Sequence, residues 1–102
     1  MSEYNSEVVS VIFRTWKHGT FKGSVDALFP YMPHSGLDHS ITAFGEHGHA
    51  SADYHYVLDR TRLSTPEEYK DLKLRLEEIG YDLKVIKRIN YDKFLQAFED
   101  VK

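Results

Sequence analysis

The residue types best suited to chemistry are concentrated between His34 and Tyr56. Five of the six histidines, His34, His39, His47, His49 and His55, lie there, interleaved with Asp38, Glu46 and Asp53. Imidazole titrates near neutral pH and serves equally as a metal ligand and as a general acid or base. His47 and His49 are two residues apart, so an extended backbone would carry both rings on one face. Together with Asp53 and His55 they would make a four-ligand nitrogen and oxygen set, a chemistry that suits zinc. Without a metal, His47 beside Glu46 or Asp53, supported by Arg60 or Arg62, has the parts for cleaving RNA by proton transfer and phosphate stabilisation.

Each of these readings meets an objection in the same residues. The string His47-x-His49-x3-Asp53-x-His55 is similar to the HxHxDH ligand string of metallo-β-lactamase-like hydrolases, but its spacing differs and that fold needs a much longer chain. No HExxH motif occurs. Small ribonucleases need a basic surface to neutralise substrate phosphates, whereas this chain carries a net charge of −3. The plainer reading is a hydrophilic loop between structured elements, where polar residues collect without a shared task. Arg60 and Arg62 flank Thr61 just before a helix that opens with two glutamates, so they are expected to pair with acids rather than to bind an anion. Lys84, Lys87 and Arg88 form a short basic strip whose simplest explanation is a solvated strand face.

The elements around the segment are better defined. Val9, Val11 and Phe13 alternate along a β-branched run, Glu7 to Trp16, and specify a strand whose second face is also partly apolar. Lys17 to Gly23 has the glycine content of a hairpin connection. Ser24 to Phe29 is the partner strand, ended by Pro30 and Pro33, because proline cannot donate to a sheet ladder. His39 to Phe44 is a short third strand. Residues 49–60 fit either strand or helix, with a helical turn after Ser51 preferred, since Ala52 and Asp53 suit a strand poorly. Thr65-Pro66-Glu67-Glu68 is a capped helix start, with Pro66 at the first helical position and Glu68 closing a capping box. Tyr69, Leu72, Leu76 and Ile79 form its apolar stripe, Asp71 and Arg75 can pair on its exposed side, and Gly80 ends it. Tyr81 to Arg88 is a last strand with Leu83 and Val85 inward, near an early strand, and Asn90 caps a final helix, Tyr91 to Val101.

The expected fold is therefore α+β: a small, mainly antiparallel sheet of about four strands in the order β-β-β-(α)-α-β-α, with the main helix packed on one face. At 102 residues the chain makes one domain, 1–102, with residues 1–6 frayed. The sequence has no cysteine, which excludes disulfides, thiolate metal sites and cysteine catalysis. No apolar run is long enough to span a bilayer and the polar start does not read as a signal peptide, so the expected compartment is the cytoplasm. Residues 1–63 carry five basic and seven acidic side chains and residues 64–102 carry eight and nine, so neither half favours nucleic acid.

Four strings resemble a family of small, mostly uncharacterised proteins encoded by phages and mobile elements. They are FRTW (Phe13–Trp16), ALFP (Ala27–Pro30), GEHG (Gly45–Gly48) and TRLSTPEEY leading into LEEIGYDLKVIKR. The resemblance spans roughly residues 8–88 and leaves the final helix outside. The family often has glutamine where this chain has Glu46 and proline where it has Leu63. It implies a genetic setting, and with it a host-interaction, counter-defence or regulatory role, but no catalytic residues.

Seven tyrosines, six phenylalanines and one tryptophan exceed what a core of this size takes in. Trp16, Phe21, Tyr31, Met32, Tyr54 and Tyr56 fall at strand ends and loops, and such residues are enriched at protein interfaces. The preferred reading is a non-catalytic interaction protein without a cofactor. It would bind a host or self protein partner through Trp16, Tyr31, His47, His49, Tyr54 and Tyr56, and a homodimer through an open sheet edge is one form of this. The competing reading is a metal-dependent or acid–base enzyme, zinc being the cofactor of the former, built on His47, His49, Asp53 and His55.

Overall fold

The computed structural model describes residues 8–35, 40–45 and 48–99. The expectation of a frayed start over 1–6 lies outside the described residues, as does His39, the first residue of the expected third strand; the rest of that strand is present as Ser40–Gly45. Nine elements follow one another: β1 (Val8–Trp16), β2 (Val25–Ser35), β3 (Ser40–Gly45), β4 (Gly48–Asp53), α1 (Tyr54–Arg60), β5 (Thr61–Leu63), α2 (Pro66–Ile79), β6 (Asp82–Val85) and α3 (Tyr91–Glu99). The class is the expected α+β, and the sheet has six strands rather than four, in the order β4-β3-β2-β1-β5 with β6 also on β1.

β1 organises the sheet. One edge pairs antiparallel with β2, Ile12 facing Leu28 and Thr15 facing Val25. The other edge is divided. Its C-terminal end pairs antiparallel with β5 through Arg14 and Leu63, and its N-terminal end pairs parallel with β6 through Val8 and Asp82. The hairpin to β2 closes over Gly19 and Gly23, both at positive φ, with the Gly23 amide donating to the Trp16 carbonyl at 3.0 Å.

β2 runs through Pro30 and Pro33 instead of stopping there. Its ladder to β1 is recorded only from Val25 to Leu28, and its pairing with β3 shifts register around Pro33. The prolines thus occupy a stretch that asks little of their missing N–H groups, as at an edge or bulge. β4 corrects the preference for a helical turn after Ser51. Gly48 to Asp53 pair residue by residue with Gly45 back to Ser40, and tertiary pairing overrides their weak strand propensity. The helix begins only after this strand, at Tyr54.

Alternation along β1 separates two cores. Val11 and Phe13 face α2 with Ala27, Phe29, Phe44 and Leu76. Ile12 turns to the opposite face with Leu28, Ile41, Tyr54, Val57, Phe94 and Phe98, where α1 and α3 lie. α2 begins as its sequence requires: the Glu68 amide donates to Thr65 Oγ1, the Thr65 amide donates to Glu68 Oε1, and Pro66 starts the helix. Tyr69 stacks on Phe13 at 4.4 Å and Leu76 is fully buried. Ile79 does not join that stripe and is 53% exposed, since the chain turns away at Gly80. Arg75 sets its guanidinium over the Phe44 ring at 5.3 Å rather than pairing with Asp71, and Lys73 and Glu77 form an ion pair on this helix at 2.7 Å. Asn90 caps α3 as expected, its side chain accepting from the Lys93 amide. Among the described residues no helix is long and apolar enough to cross a membrane.

Candidate functional site

The described histidines do not converge. His49 lies on β4 opposite Phe44, its ring edge-on to that phenyl, and its Nε2 meets the Tyr81 hydroxyl at 2.8 Å on the α2 side of the sheet. His55 contacts the rings of Tyr54 and Phe94, which belong to the core on the opposite side. Asp53 is the N-cap of α1 and accepts the Tyr56 amide at 3.0 Å. His34 is exposed on β2. His39 and His47, with Asp38 and Glu46, lie outside the described residues. Among the described residues no three His, Asp or Glu side chains are grouped to hold a metal ion. His49 and His55 are held on different faces of the sheet, so they do not combine with Asp53 into the four-ligand arrangement the spacing suggested.

The arginines are also committed. Arg62 forks onto Glu68 with contacts of 2.8 and 2.6 Å. Its hydrogen bond, joined by that of the Thr65 amide, holds the Glu68 carboxyl well below the usual range, at about 2. Arg60 places its guanidinium 3.9 Å from the centre of the Tyr56 ring, a cation–π contact. Arg14, on the same face of β1 as Ile12, is buried. Its guanidinium donates to Thr61 Oγ1 at 2.9 Å and to the carbonyls of Thr61 and Leu58 at 2.7 and 3.3 Å. These carbonyls close the C-terminal end of α1, where backbone dipoles favour a cation. Burial lowers the Arg14 pKa and raises that of the neighbouring Tyr54 phenol, with the nearby guanidinium opposing the second shift. Arg14 therefore locks α1 to β1.

The aromatic residues divide three ways. Tyr54 is 4% exposed within the α1–α3 core, so its ring offers nothing to a partner, unlike the surface position expected of it. Tyr31 is half-buried, its hydroxyl accepting the Asn90 amide at 2.6 Å while Lys93 lies over its ring. Met32 packs against the α2-side core. Trp16, Phe21 and Tyr56 remain, and the fold brings them to one place.

They form the wall of a cleft of about 350 Å³ on the α1 face of the sheet. Trp16 and Phe21 are in ring contact at 5.9 Å, and Phe21 and Tyr56 are 51% and 53% exposed. The floor is made by Ala43, Gly45, Gly48, Ala50 and Ala52 of β3 and β4. Pairing aligns Ala43 with Ala50 and Gly45 with Gly48, so period-two alternation places only small residues at this end of the face. Asp26 lies at the inner end. Its Oδ2 accepts the Trp16 indole N–H at 2.9 Å, and its Oδ1 lies where a β-carbon on Gly45 would be, so Gly45 has to be glycine for the carboxylate to rest there. Among the described residues β4 is the outermost strand on its side of the sheet, and it carries no Lys, Arg, Pro or bulge, the usual protections of an edge. Sequence reasoning named Trp16 and Tyr56 but not Asp26, Gly45 or Ala50, whose relation appears only through strand register.

Such a site can hold an extended chain or a small apolar group, since it has aromatic walls, a strand edge alongside and two lining carboxylate residues, Asp26 and Asp53, each held by a hydrogen bond. Comparison with protein families, with curated proteins and with solved structures finds no match for this chain.

Proposed function

We propose that this chain is a non-catalytic interaction protein of a phage or mobile element, binding a host protein through the Trp16–Tyr56 cleft and the adjoining β4 edge. The observation that carries the reading is the exposure of Phe21 and Tyr56 around a concave apolar floor, beside an unprotected strand edge. Exposed aromatic anchors around a cleft are what protein interfaces use for affinity, and an open edge adds main-chain hydrogen bonds. The genetic setting rests on the family resemblance of the sequence alone.

Affinity capture from host lysate with the wild-type protein and with a Phe21→Ala/Tyr56→Ala double variant tests it. The expected outcome is a partner retained by the wild type and depleted at least about tenfold by the variant, while the two proteins unfold at similar temperatures. Equal recovery by both would overturn the proposal.

A further inference from the structure

We infer that β4 pairs antiparallel with β4 of a second copy of this chain, about a two-fold axis at Ser51. The inference goes beyond the host-binding reading and constrains it, since a host segment can take this edge only from an unpaired chain. Among the described residues no strand lies outside β4 on its side of the sheet. α1 leaves the end of β4 and leads into β5, on the far side of β1, so the helix runs inward across the sheet and away from the edge.

The direction of the backbone groups follows from the pairing with β3. Gly45 and Gly48 are partners separated by two residues. The pair that closes so short a connection exchanges both its main-chain hydrogen bonds, and hydrogen-bonded and non-hydrogen-bonded pairs alternate from there. Ala50 and Ala52 therefore bond inward to β3, while His49, Ser51 and Asp53 turn their N–H groups to the open side. The Asp53 carbonyl is taken, because the N-cap residue supplies the first acceptor of its helix. With the axis at Ser51, the two Ser51 residues exchange both bonds, and each Asp53 amide donates to the His49 carbonyl of the other copy.

The side chains agree with this register. His49 comes opposite the second copy's Asp53, the only acid of the strand, and such complementary pairs across a ladder are favourable where like charges are not. His49 Nε2 is already on the Tyr81 hydroxyl, which leaves Nδ1 for that carboxylate. Ala50 comes opposite the second copy's Ala52 in the close, non-hydrogen-bonded positions, where small side chains let the strands approach. Moving the axis to Ala50 gives up both His49–Asp53 pairs, and moving it to Asp53 sets two carboxylates face to face. One symmetric contact also covers the open edge of both copies at once.

The sequence has no cysteine, so single cysteines report the register without interference. Opposed α-carbons in an antiparallel ladder lie about 4.5–5.5 Å apart, within the span of a disulfide. The variants are Ser51→Cys, Ala50→Cys, Ala52→Cys and, as a measure of random collision, Glu67→Cys on the exposed first turn of α2. In a glutathione redox buffer Ser51→Cys should form at least about tenfold more covalent dimer than Glu67→Cys. Ala50→Cys and Ala52→Cys should each stay near the Glu67→Cys level alone and crosslink when mixed, because Ala50 faces Ala52 across the axis. In sedimentation the wild-type protein should become a dimer at high micromolar concentration. Ser51→Pro, which removes an outward N–H and keeps the ladder to β3, should remain a monomer there. Crosslinking of Ser51→Cys at the Glu67→Cys level would overturn the inference. So would crosslinking of Ala50→Cys alone as fully as in the mixture, or a wild-type protein that stays monomeric at high micromolar concentration. These readouts use the purified chain alone, so their failure is distinct from a failure of host capture to depend on Phe21 and Tyr56.

Discussion

The two faces of the sheet meet the same strands, β3 and β4, with opposite results. On the α2 face Phe44 and His49 stand across from each other, Tyr81 closes over His49, and Arg75 lies above the Phe44 ring. On the α1 face the neighbouring pairs are Ala43 with Ala50 and Gly45 with Gly48, and α1 only borders the space above them, through Tyr56 and Val57. The alternation that packs one side therefore empties the other. Here a cleft needs no loop insertion, only small residues at every second position of two paired strands.

Substitutions on each face test this contrast. The largest effect is expected from Phe29→Ala on the closed face. Phe29 is fully buried and stacks on Tyr81 at 5.1 Å, so truncation should cost about 4 kcal/mol in urea unfolding. A loss below about 1 kcal/mol would show that this face is not the tight core described. Arg14→Ala strikes the rigid part of the open face, where the guanidinium holds the end of α1. It should cost about 3 kcal/mol by the same measurement, because buried carbonyls lose their charged donor, and a near-neutral result would mean that α1 is anchored by Val57 and Tyr54 alone. The smallest effect on stability belongs to Ala50→Leu. The side chain at this position points into open space, so stability should change by no more than about 0.5 kcal/mol, while capture of the partner should fall as it does for the Phe21→Ala/Tyr56→Ala variant. Undiminished capture by the Ala50→Leu variant would place the partner elsewhere.

What the sequence reveals follows how local each cause is. The start of α2 can be read from Thr65, Pro66 and Glu68, because all three act within one turn. β1 can be read from the alternation of Val9, Val11 and Phe13. β4 cannot, since glycine, alanine and serine say little about strand until β3 pairs with them. Nor do Pro30 and Pro33 reveal that β2 continues past them, because that depends on how little ladder is required there. The cleft is the least local feature. Trp16, Asp26, Gly45, Ala50 and Tyr56 come from five successive elements, and no spacing rule relates a tryptophan to a glycine that lies against its hydrogen-bond acceptor. The histidine-rich segment misleads for the complementary reason: its described members are close in sequence, and the sheet then separates them.

The divided edge of β1 bears on the order in which the molecule can assemble. Its C-terminal half is paired by β5, but Val8 must wait for Asp82 and Val11 for Val85. A nascent chain ending after β5 could already hold the antiparallel part of the sheet, yet would expose the N-terminal half of its central strand. Pairings between such distant parts of a chain close slowly, because the loop entropy comes before the contact. Docking of β6 beneath α2 is thus the step that completes the sheet. During synthesis, the vulnerable edge is this temporary one on β1 as well as the permanent one on β4.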